Sequence, residues 1–219
     1  MKIILISSSP RKQRSNTFIL AREVLKGASG KSIRSEIIHL CDYKINFCRH
    51  CEQCHRKIMD CPIKDDAAAI VKKILESDGI IFASPNYINQ VNAPMKTLFD
   101  RASHFIHCKR LLGKYVLGVV SSGGGYDKPV LDYIKYYANI CGAKYSGGVS
   151  VKVPVSKNKL EKAHALGKKL AEDIKKKEKY PDQQKFIEAA IRYFGKIIEK
   201  RKKEWKEEYL YWKEKGWLA

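Results

Sequence analysis

The sequence lacks any apolar run long enough to cross a membrane. Its longest apolar runs, residues 3–6 and 115–120, have the length of a β-strand, whereas a transmembrane helix needs roughly 20 apolar residues. The N-terminal run is also too short for the hydrophobic region of a secretory signal, and no small-residue cleavage site follows it. We therefore expect an unexported, cytoplasmic protein, in which the seven cysteines do not form a disulfide framework.

Two common nucleotide-binding motifs and long runs of like charge are also absent. Neither the Walker loop G-x-x-x-x-G-K nor the dinucleotide motif G-x-G-x-x-G occurs. The net charge is nevertheless +20, which could attract nucleic acid, a membrane face or an acidic protein such as a ferredoxin. Acidic residues interrupt even the most basic stretches, KKKEK and EKRKKEWKEE. This interleaving favours the Lys/Glu-rich surface typical of thermophiles. Nucleic acid is the least favoured partner, because nucleic-acid binding would leave the serine-rich and glycine-rich loops without a purpose.

Strand-like and helix-like segments alternate along the first 180 residues. Short apolar runs predict strands at 1–8, 33–40, 79–83, 114–121 and 144–153. Helical spacing of apolar residues predicts helices at 16–26, from 65 onward, and at 93–105, 129–141 and 158–179. This alternation is typical of a doubly wound α/β fold with a five-stranded parallel sheet, which binds ligands beyond the carboxyl ends of its strands.

We assign residues 1–180 to this α/β domain and residues 181–219 to a C-terminal helical extension. Within the domain, residues 41–64 form an irregular, cysteine-rich loop. The extension carries apolar residues near helical spacing, from Phe186 to Trp212. We expect it either to pack on a neighbouring subunit or to cap its own subunit.

Three loops follow strands at the expected ligand edge. Residues 7–17 combine hydroxyls, an arginine and the start of a helix, which suit a phosphate but also suit a plain helix cap. Residues 84–89, SPNYIN, could form a flat wall for an aromatic ligand or a simple turn. Residues 121–126 contain three glycines, which allow close approach of the backbone to a ligand. The coincidence of three such loops favours a ligand site.

The sequence contains the motifs Ser-Pro-Arg, Ser-Asn-Thr and Ser-Pro-x-Tyr, followed by Lys96 and the pair Asp100-Arg101. These motifs resemble those of the NADPH-dependent FMN reductase superfamily, which has a flavodoxin-like fold. The resemblance covers residues 1–153, although that family usually has glycine where Ser8 stands. It implies that the FMN phosphate is held by Ser9, Arg11, Ser15, Asn16 and Thr17. It implies that Pro85, Asn86 and Tyr87 lie along the flavin ring. From their place in the two later loops we also assign to the cofactor Ile88, Ser122, Gly123, Gly124 and Gly125.

Four cysteines form the most distinctive chemical signal. Cys48, Cys51 and Cys54 are spaced three residues apart, and Cys61 follows with a proline after it. Three thiolates at this spacing can surround one face of a small inorganic cluster and a fourth can close it, as in ferredoxins. A zinc site and a set of unligated thiols remain alternatives. The cysteines of a four-cysteine zinc site, however, usually form two separate C-x2-C pairs. We expect the remaining cysteines, Cys41, Cys108 and Cys141, to be thiols packed in the core. We expect the two histidines of the loop, His50 and His55, to lie at the surface.

Within the superfamily, this compact cysteine motif resembles that of the iron–sulfur flavoproteins. The resemblance implies a 4Fe-4S cluster on Cys48, Cys51, Cys54 and Cys61 beside FMN, in a dimer or tetramer. It also implies electron transfer from a donor such as ferredoxin to a small-molecule acceptor, and no side chain is predicted to act as an acid–base catalyst. Two other functions stay open: an NAD(P)H-dependent FMN or quinone reductase whose loop binds zinc or nothing, and a basic nucleic-acid-binding or redox-sensing module.

Overall fold

A twisted parallel sheet forms the centre of the computed structural model, which describes residues 1–218. Its five parallel strands, in the spatial order β2-β1-β3-β5-β6, are β1 (Lys2–Ser7), β2 (Arg34–His39), β3 (Gly79–Tyr87), β5 (Tyr115–Ser122) and β6 (Lys144–Lys152). A two-residue strand, β4 (Gln90–Val91), pairs antiparallel with the end of β3. The predicted flavodoxin-like α/β fold is confirmed.

The central strands are apolar because helices cover both faces of the sheet. Residues 3–6 of β1 are fully buried, and β5 is buried along its whole length. Helices α1 (Asn16–Gly27) and α7 (Lys157–Lys176) pack on one face. The other face carries α3 (Ala67–Leu75), α4 (Ala93–Arg101) and α6 (Lys128–Ile140).

Two glycines allow α1 and α7 to pack backbone against backbone. A Cβ at Gly27 would lie 2.0 Å from the carbonyl oxygen of His164, and a Cβ at Gly167 would lie 1.9 Å from that of Val24. Any side chain at either position would therefore force the helices apart. This close contact fixes α1, whose first turn belongs to the ligand edge of the sheet.

The C-terminal extension packs on its own subunit. It contains α8 (Pro181–Lys200) and α9 (Lys206–Glu214). Gln183 of α8 pairs with the backbone of the edge strand β6, because its Oε1 accepts from the Tyr145 amide at 2.7 Å and its Nε2 donates to the Tyr145 carbonyl at 3.0 Å. The two helices share a small core built on Ile198, Trp205 and Trp212. Of the two arrangements expected from sequence, the described residues adopt the one in which the extension caps its own subunit.

Two segments differ from the sequence prediction. The helix predicted over 93–105 is divided into α4 and a short α5 (His104–Cys108), and this break lets Arg101 and His104 both face the cysteine-rich loop. The predicted strand 79–83 continues to Tyr87 because its end pairs with β4. The loop at 41–64 is irregular as predicted, apart from a 3-10 turn and the single turn α2 (Gln53–Arg56). No helix within residues 1–218 is both long enough and apolar enough to span a membrane.

Candidate functional site

The three predicted ligand loops meet in one cavity at the carboxyl edge of the sheet. The cavity encloses about 240 Å³. Its lining contains ten of the thirteen residues predicted for FMN, together with Ser121 and Val153: Ser9, Arg11, Ser15, Asn16, Thr17, Pro85, Asn86, Tyr87, Ser122 and Gly123. Three predicted residues, Ile88, Gly124 and Gly125, do not line it.

The loop between β1 and α1 presents an anion-binding surface. Ser15 caps α1, because its Oγ accepts a hydrogen bond from the Phe18 amide at 3.0 Å. The first turn of α1 therefore points its free amides and the positive end of the helix dipole at the cavity. The hydroxyl of Thr17 lies 2.6 Å from that of Ser121 and ties this loop to the one after β5. Arg11 adds a full positive charge at the rim.

Asn86 joins the second loop to the third. Its Nδ2 donates to the carbonyl oxygens of Gly125 at 3.0 Å and of Tyr126 at 3.2 Å. Its Oδ1 is buried and accepts no hydrogen bond from the described residues. A buried amide oxygen without a donor is costly, so this atom is suited to accept a hydrogen bond from a bound ligand.

The glycine loop leaves open space beside the cavity. A Cβ placed at Gly123 or Gly124 would meet no atom within 4 Å. The packing of the described chain therefore gives no steric reason for glycine at these two positions. Gly125 differs from Gly123 and Gly124, because its φ of +93° favours glycine on conformational grounds.

Ile88 occupies the tip of the β3–β4 hairpin. Its side chain is 97% exposed, and Ile88 and Asn89 have φ values of +53° and +58°. Two consecutive residues in the left-handed region form a type I′ turn. This conformation is strained for a β-branched residue.

The four clustered cysteines line a second cavity, of about 610 Å³. All four are free thiols. Across residues 1–218, no three of their sulfur atoms lie within 4.8 Å of one another. Burial raises the pKa of the Cys54 thiol to about 12, and the neighbouring thiols of Cys48 and Cys61 act in the same direction. Holding Cys54 as a thiolate therefore requires a strong positive partner in this cavity.

Arg101 links the base of the cysteine-rich loop to Cys61. Its Nη2 donates to Cys61 Sγ at 3.4 Å, and its Nη1 donates to the Asn46 carbonyl at 2.9 Å. The guanidinium also forms a two-pronged ion pair with Asp65, at 2.5 and 3.0 Å. Burial raises the pKa of Asp65, but hydrogen bonds from Arg101 and from the amides of Asn46 and Ala67 outweigh it and lower this pKa to about 2.

Buried histidines form the wall of this cavity behind the cysteines. His55 is only 8% exposed, so the prediction that it lies at the surface is wrong, whereas His50 is exposed as predicted. The Nδ1 of His55 lies 2.6 Å from Oε2 of Glu208, and the Nδ1 of His107 lies 3.1 Å from Oε1. Burial raises the pKa of the Glu208 carboxyl, but hydrogen bonds from the two imidazoles outweigh the effect of burial, so the pKa of Glu208 is lowered. Desolvation lowers the pKa of His104 to about 4.

The other three cysteines lie outside this cavity. Cys108 and Cys141 are fully buried, as predicted, and burial raises the pKa of Cys141 to about 12. Cys41 is only partly buried, and its thiol donates to the carbonyl oxygen of Ser8 at 3.4 Å.

Sequence reasoning did not identify the side chains that hold the cysteine-rich loop, and it named Arg101 only as part of a family motif. Most of them lie far along the chain from the cysteines: Glu52, Asp65, Arg101, Arg201, Trp205 and Glu208. The signal that could have identified them is the aromatic periodicity of the extension, which indicates a buried face but not what that face covers.

Comparisons with known proteins bear on the fold and on the family of the chain. Residues 1–157 match the sequence profile of the family described as NADPH-dependent FMN reductase. An iron–sulfur flavoprotein of Methanocaldococcus jannaschii is 36% identical over 191 residues, which cover 80% of this chain and 98% of that protein. An iron–sulfur flavoprotein of Archaeoglobus fulgidus is 32% identical over the whole of both chains. The WrbA-like flavodoxin from Agrobacterium tumefaciens superposes with a TM-score of 0.54 at 18% identity, over 80% of this chain and 98% of that one, and supports the fold.

The profile match spans more than half of the chain, and two relatives above 30% identity align over nearly their full length. Flavin-dependent redox chemistry is the activity that this family shares. The chain therefore belongs to the NADPH-dependent FMN reductase family of flavodoxin-like oxidoreductases, and within it to the iron–sulfur flavoproteins.

Proposed function

We propose that this oxidoreductase holds FMN in the cavity between its three edge loops and a 4Fe-4S cluster on Cys48, Cys51, Cys54 and Cys61. In this proposal, electrons pass from a donor such as ferredoxin to a small-molecule acceptor through these two centres. The observation that carries the proposal is the second cavity, of about 610 Å³, which all four clustered cysteines line as free thiols.

The spacing of the cysteines along the chain favours a cluster over a single zinc ion, because a four-cysteine zinc site usually consists of two separate C-x2-C pairs. Zinc binds thiolate sulfur at about 2.3 Å, so four sulfurs around one zinc lie about 3.8 Å apart. Within residues 1–218, no three of the four sulfurs come within 4.8 Å of one another. The thiols are therefore not gathered around a single zinc ion, and the positive charge of an iron–sulfur core would hold even the buried Cys54 as a thiolate.

In the first cavity, the chain supplies groups that match the parts of FMN. The capped first turn of α1 and Arg11 suit the phosphate. The side chains of Pro85 and Tyr87 offer an apolar wall for the ring, and Asn86 Oδ1 offers an unused acceptor for a ring N–H. The flavin, when bound, supplies the hydride and electron chemistry. The protein binds it, orients it and sets its surroundings.

The electron donor follows from charge and family. A net charge of +20 favours docking of an acidic protein such as a ferredoxin. The family description also allows NADPH as a donor. We propose ferredoxin as the donor because the cysteine cavity provides a separate entry point for single electrons.

We further propose that the protein acts in the cytoplasm as a homodimer or homotetramer. No residue of the described chain lines both cavities. Association of subunits would allow the cluster of one chain to approach the flavin of another. Light scattering of the purified protein tests this assembly, and a monomer would contradict it.

The test of the proposed function is a visible spectrum with iron, zinc and acid-labile sulfide analysis on protein purified without oxygen. We expect flavin bands near 370 and 450 nm, a broad shoulder near 400 nm, and about four irons and four sulfides per chain. Cys54→Ser should lose the iron and keep the flavin. Cys41→Ser is the matched control, because Cys41 lies outside the cavity, and it should keep both. One zinc per chain, or flavin without iron, would refute the cluster.

A further inference from the structure

The start of α9 and the turn before it contact the cysteine-rich loop directly. We call residues 201–208 the C-terminal clamp. Both terminal nitrogens of Arg201 donate to the carboxylate of Glu52, at 3.0 and 2.8 Å. The indole Nε1 of Trp205 donates to the same carboxylate at 3.1 Å. Three hydrogen bonds from the clamp thus converge on one side chain of the loop.

Glu52 stands at the turn between Cys51 and Cys54. Its φ of +57° and ψ of +10° place it in the left-handed region, which is unfavourable for a non-glycine residue. Its carbonyl oxygen accepts from the His55 amide at 3.0 Å and so begins the single turn of α2. Fixing the Glu52 side chain therefore fixes the backbone turn that sets the relative positions of the two cysteines.

Two further anchors hold the residues after this turn. Glu207 Oε2 accepts from the amide of Ile58 at 2.9 Å, and Glu208 holds the His55 ring through Nδ1 at 2.6 Å. The Trp205 indole also stacks on the His55 ring, with 4.5 Å between ring centres and 24° between the planes. The clamp therefore contacts the loop at three points between residues 52 and 58.

The clamp also forms part of the cavity wall. Arg201 and Trp205 line the cavity together with the four cysteines, and the guanidinium of Arg201 lies 4.1 Å from the centre of the indole ring. A cluster on four thiolates carries a net negative charge, which the guanidinium stabilises. The indole itself is 4% exposed.

We propose that the C-terminal clamp positions the cluster-binding loop, with Glu52, Arg201 and Trp205 as positioning residues that keep the cluster bound. This inference rests on the proposed function, since it concerns the retention of the same cluster. It gives the extension a role within its own subunit: the clamp preorganises Cys51 and Cys54 and closes the cavity over them.

The test measures iron release from anaerobic holoprotein to the chelator bathophenanthroline. Arg201→Gln and Glu52→Gln should each release iron about tenfold faster than wild type, since each removes a charged hydrogen-bonded pair that is partly screened by solvent. The double variant should be no faster than either single variant, because both remove the same interaction. Lys202→Gln is the matched control: it removes the same charge one residue away, from a side chain that pairs with Glu199 and not with the loop. Its release rate should equal that of wild type.

A second variant separates positioning from loss of folding. Trp205→Phe keeps an aromatic ring on His55 but removes the Nε1 donor. It should release iron faster at a temperature where circular dichroism shows a fully folded protein and the FMN content equals that of wild type. Release rates equal to wild type in Arg201→Gln, Glu52→Gln and Trp205→Phe would overturn the clamp. Rates that rise equally in Lys202→Gln would also overturn it, because they would show a general effect of charge.

If the wild-type protein holds no iron, the proposed function is wrong, whatever the result for the clamp. In that case, amide hydrogen exchange of residues 52–58 still tests the clamp. Glu207→Ala should speed exchange at Ile58, and Glu204→Ala, at an exposed position in the same segment, should not. Equal exchange in both variants would refute the contact.

Discussion

Replacing Arg101 with glutamine is expected to destabilise the protein by about 3 to 5 kcal/mol. The side chains of Arg101 and Asp65 are 2% and 1% exposed, so the substitution leaves a buried carboxylate without its cation, and breaking a buried pair costs this much. For a chain of 219 residues, the thermal midpoint should fall by about 10 °C. Circular dichroism of anaerobic protein measures this change.

The same substitution should alter the acid sensitivity of the fold. The pKa of Asp65 in the folded protein is about 2, against an ordinary value of 3.8, which is worth about 2 kcal/mol. Because the folded pKa is lowered, this stabilisation is present above pH 4 and is lost as the pH falls toward 2. In Arg101→Gln the pKa of Asp65 rises, so stability should begin to fall at a higher pH than in wild type.

The control for this prediction lies on the same helix. Lys96→Gln removes an exposed ion pair with Asp100, at 2.6 Å and about half exposed on both sides, and should cost less than about 1 kcal/mol. The double variant Asp65→Asn/Arg101→Gln should be more stable than Arg101→Gln alone, because it removes the unpaired charge. A cost below about 1 kcal/mol for Arg101→Gln, or strictly additive effects in the double variant, would refute the reasoning.

Three other predictions concern separate parts of the chain. Gly123→Val should leave the thermal midpoint of the flavin-free protein unchanged, since a Cβ there meets no protein atom. It should weaken FMN binding at least tenfold in a fluorescence titration, and an unchanged affinity would place the flavin elsewhere. Ile88→Asn should stabilise by about 1 kcal/mol in urea unfolding, because asparagine tolerates φ of +53°, and Ile88→Ala, which keeps most of the strain, should gain less. Burial lowers the pKa of Lys109 from 10.5 to about 8. The free energy of unfolding of wild type should therefore gain about 3 kcal/mol from this group as the pH rises from about 8 to 10.5. Lys109→Met should lack that gain, and an identical gain in both proteins would contradict the prediction.

The fold was predictable because its signals are local. The buried strands read as short apolar runs, and glycine stands at the end of two of the helices between them, at Gly27, the last residue of α1, and at Gly142, just beyond α6. The three edge loops were predictable for the same reason, because the carboxyl ends of parallel strands must share one edge. Ser15 illustrates this, since both its position before α1 and its capping role follow from neighbouring residues.

The support of the cysteine cavity was not predictable, because it depends on pairs that are distant in sequence. Arg101 meets Asp65 across 36 residues, and Glu208 meets His55 across 153 residues. No local pattern distinguishes Glu208 from its solvent-exposed neighbours, and only the packing of α9 on α5 and α2 buries it. The same packing explains why His55, in a polar loop, is buried.

The central claim is that electrons enter at the cysteine cavity and reach the flavin from there. Stopped-flow mixing of the oxidised protein with reduced ferredoxin, followed at 450 nm, tests it most directly when wild type and Cys54→Ser hold equal amounts of FMN. The account predicts rapid bleaching of the flavin in wild type and bleaching at least a hundredfold slower in Cys54→Ser, which would lack the proposed entry point. Equal rates in the two proteins would contradict the account, because they would show that the flavin accepts electrons without the cluster.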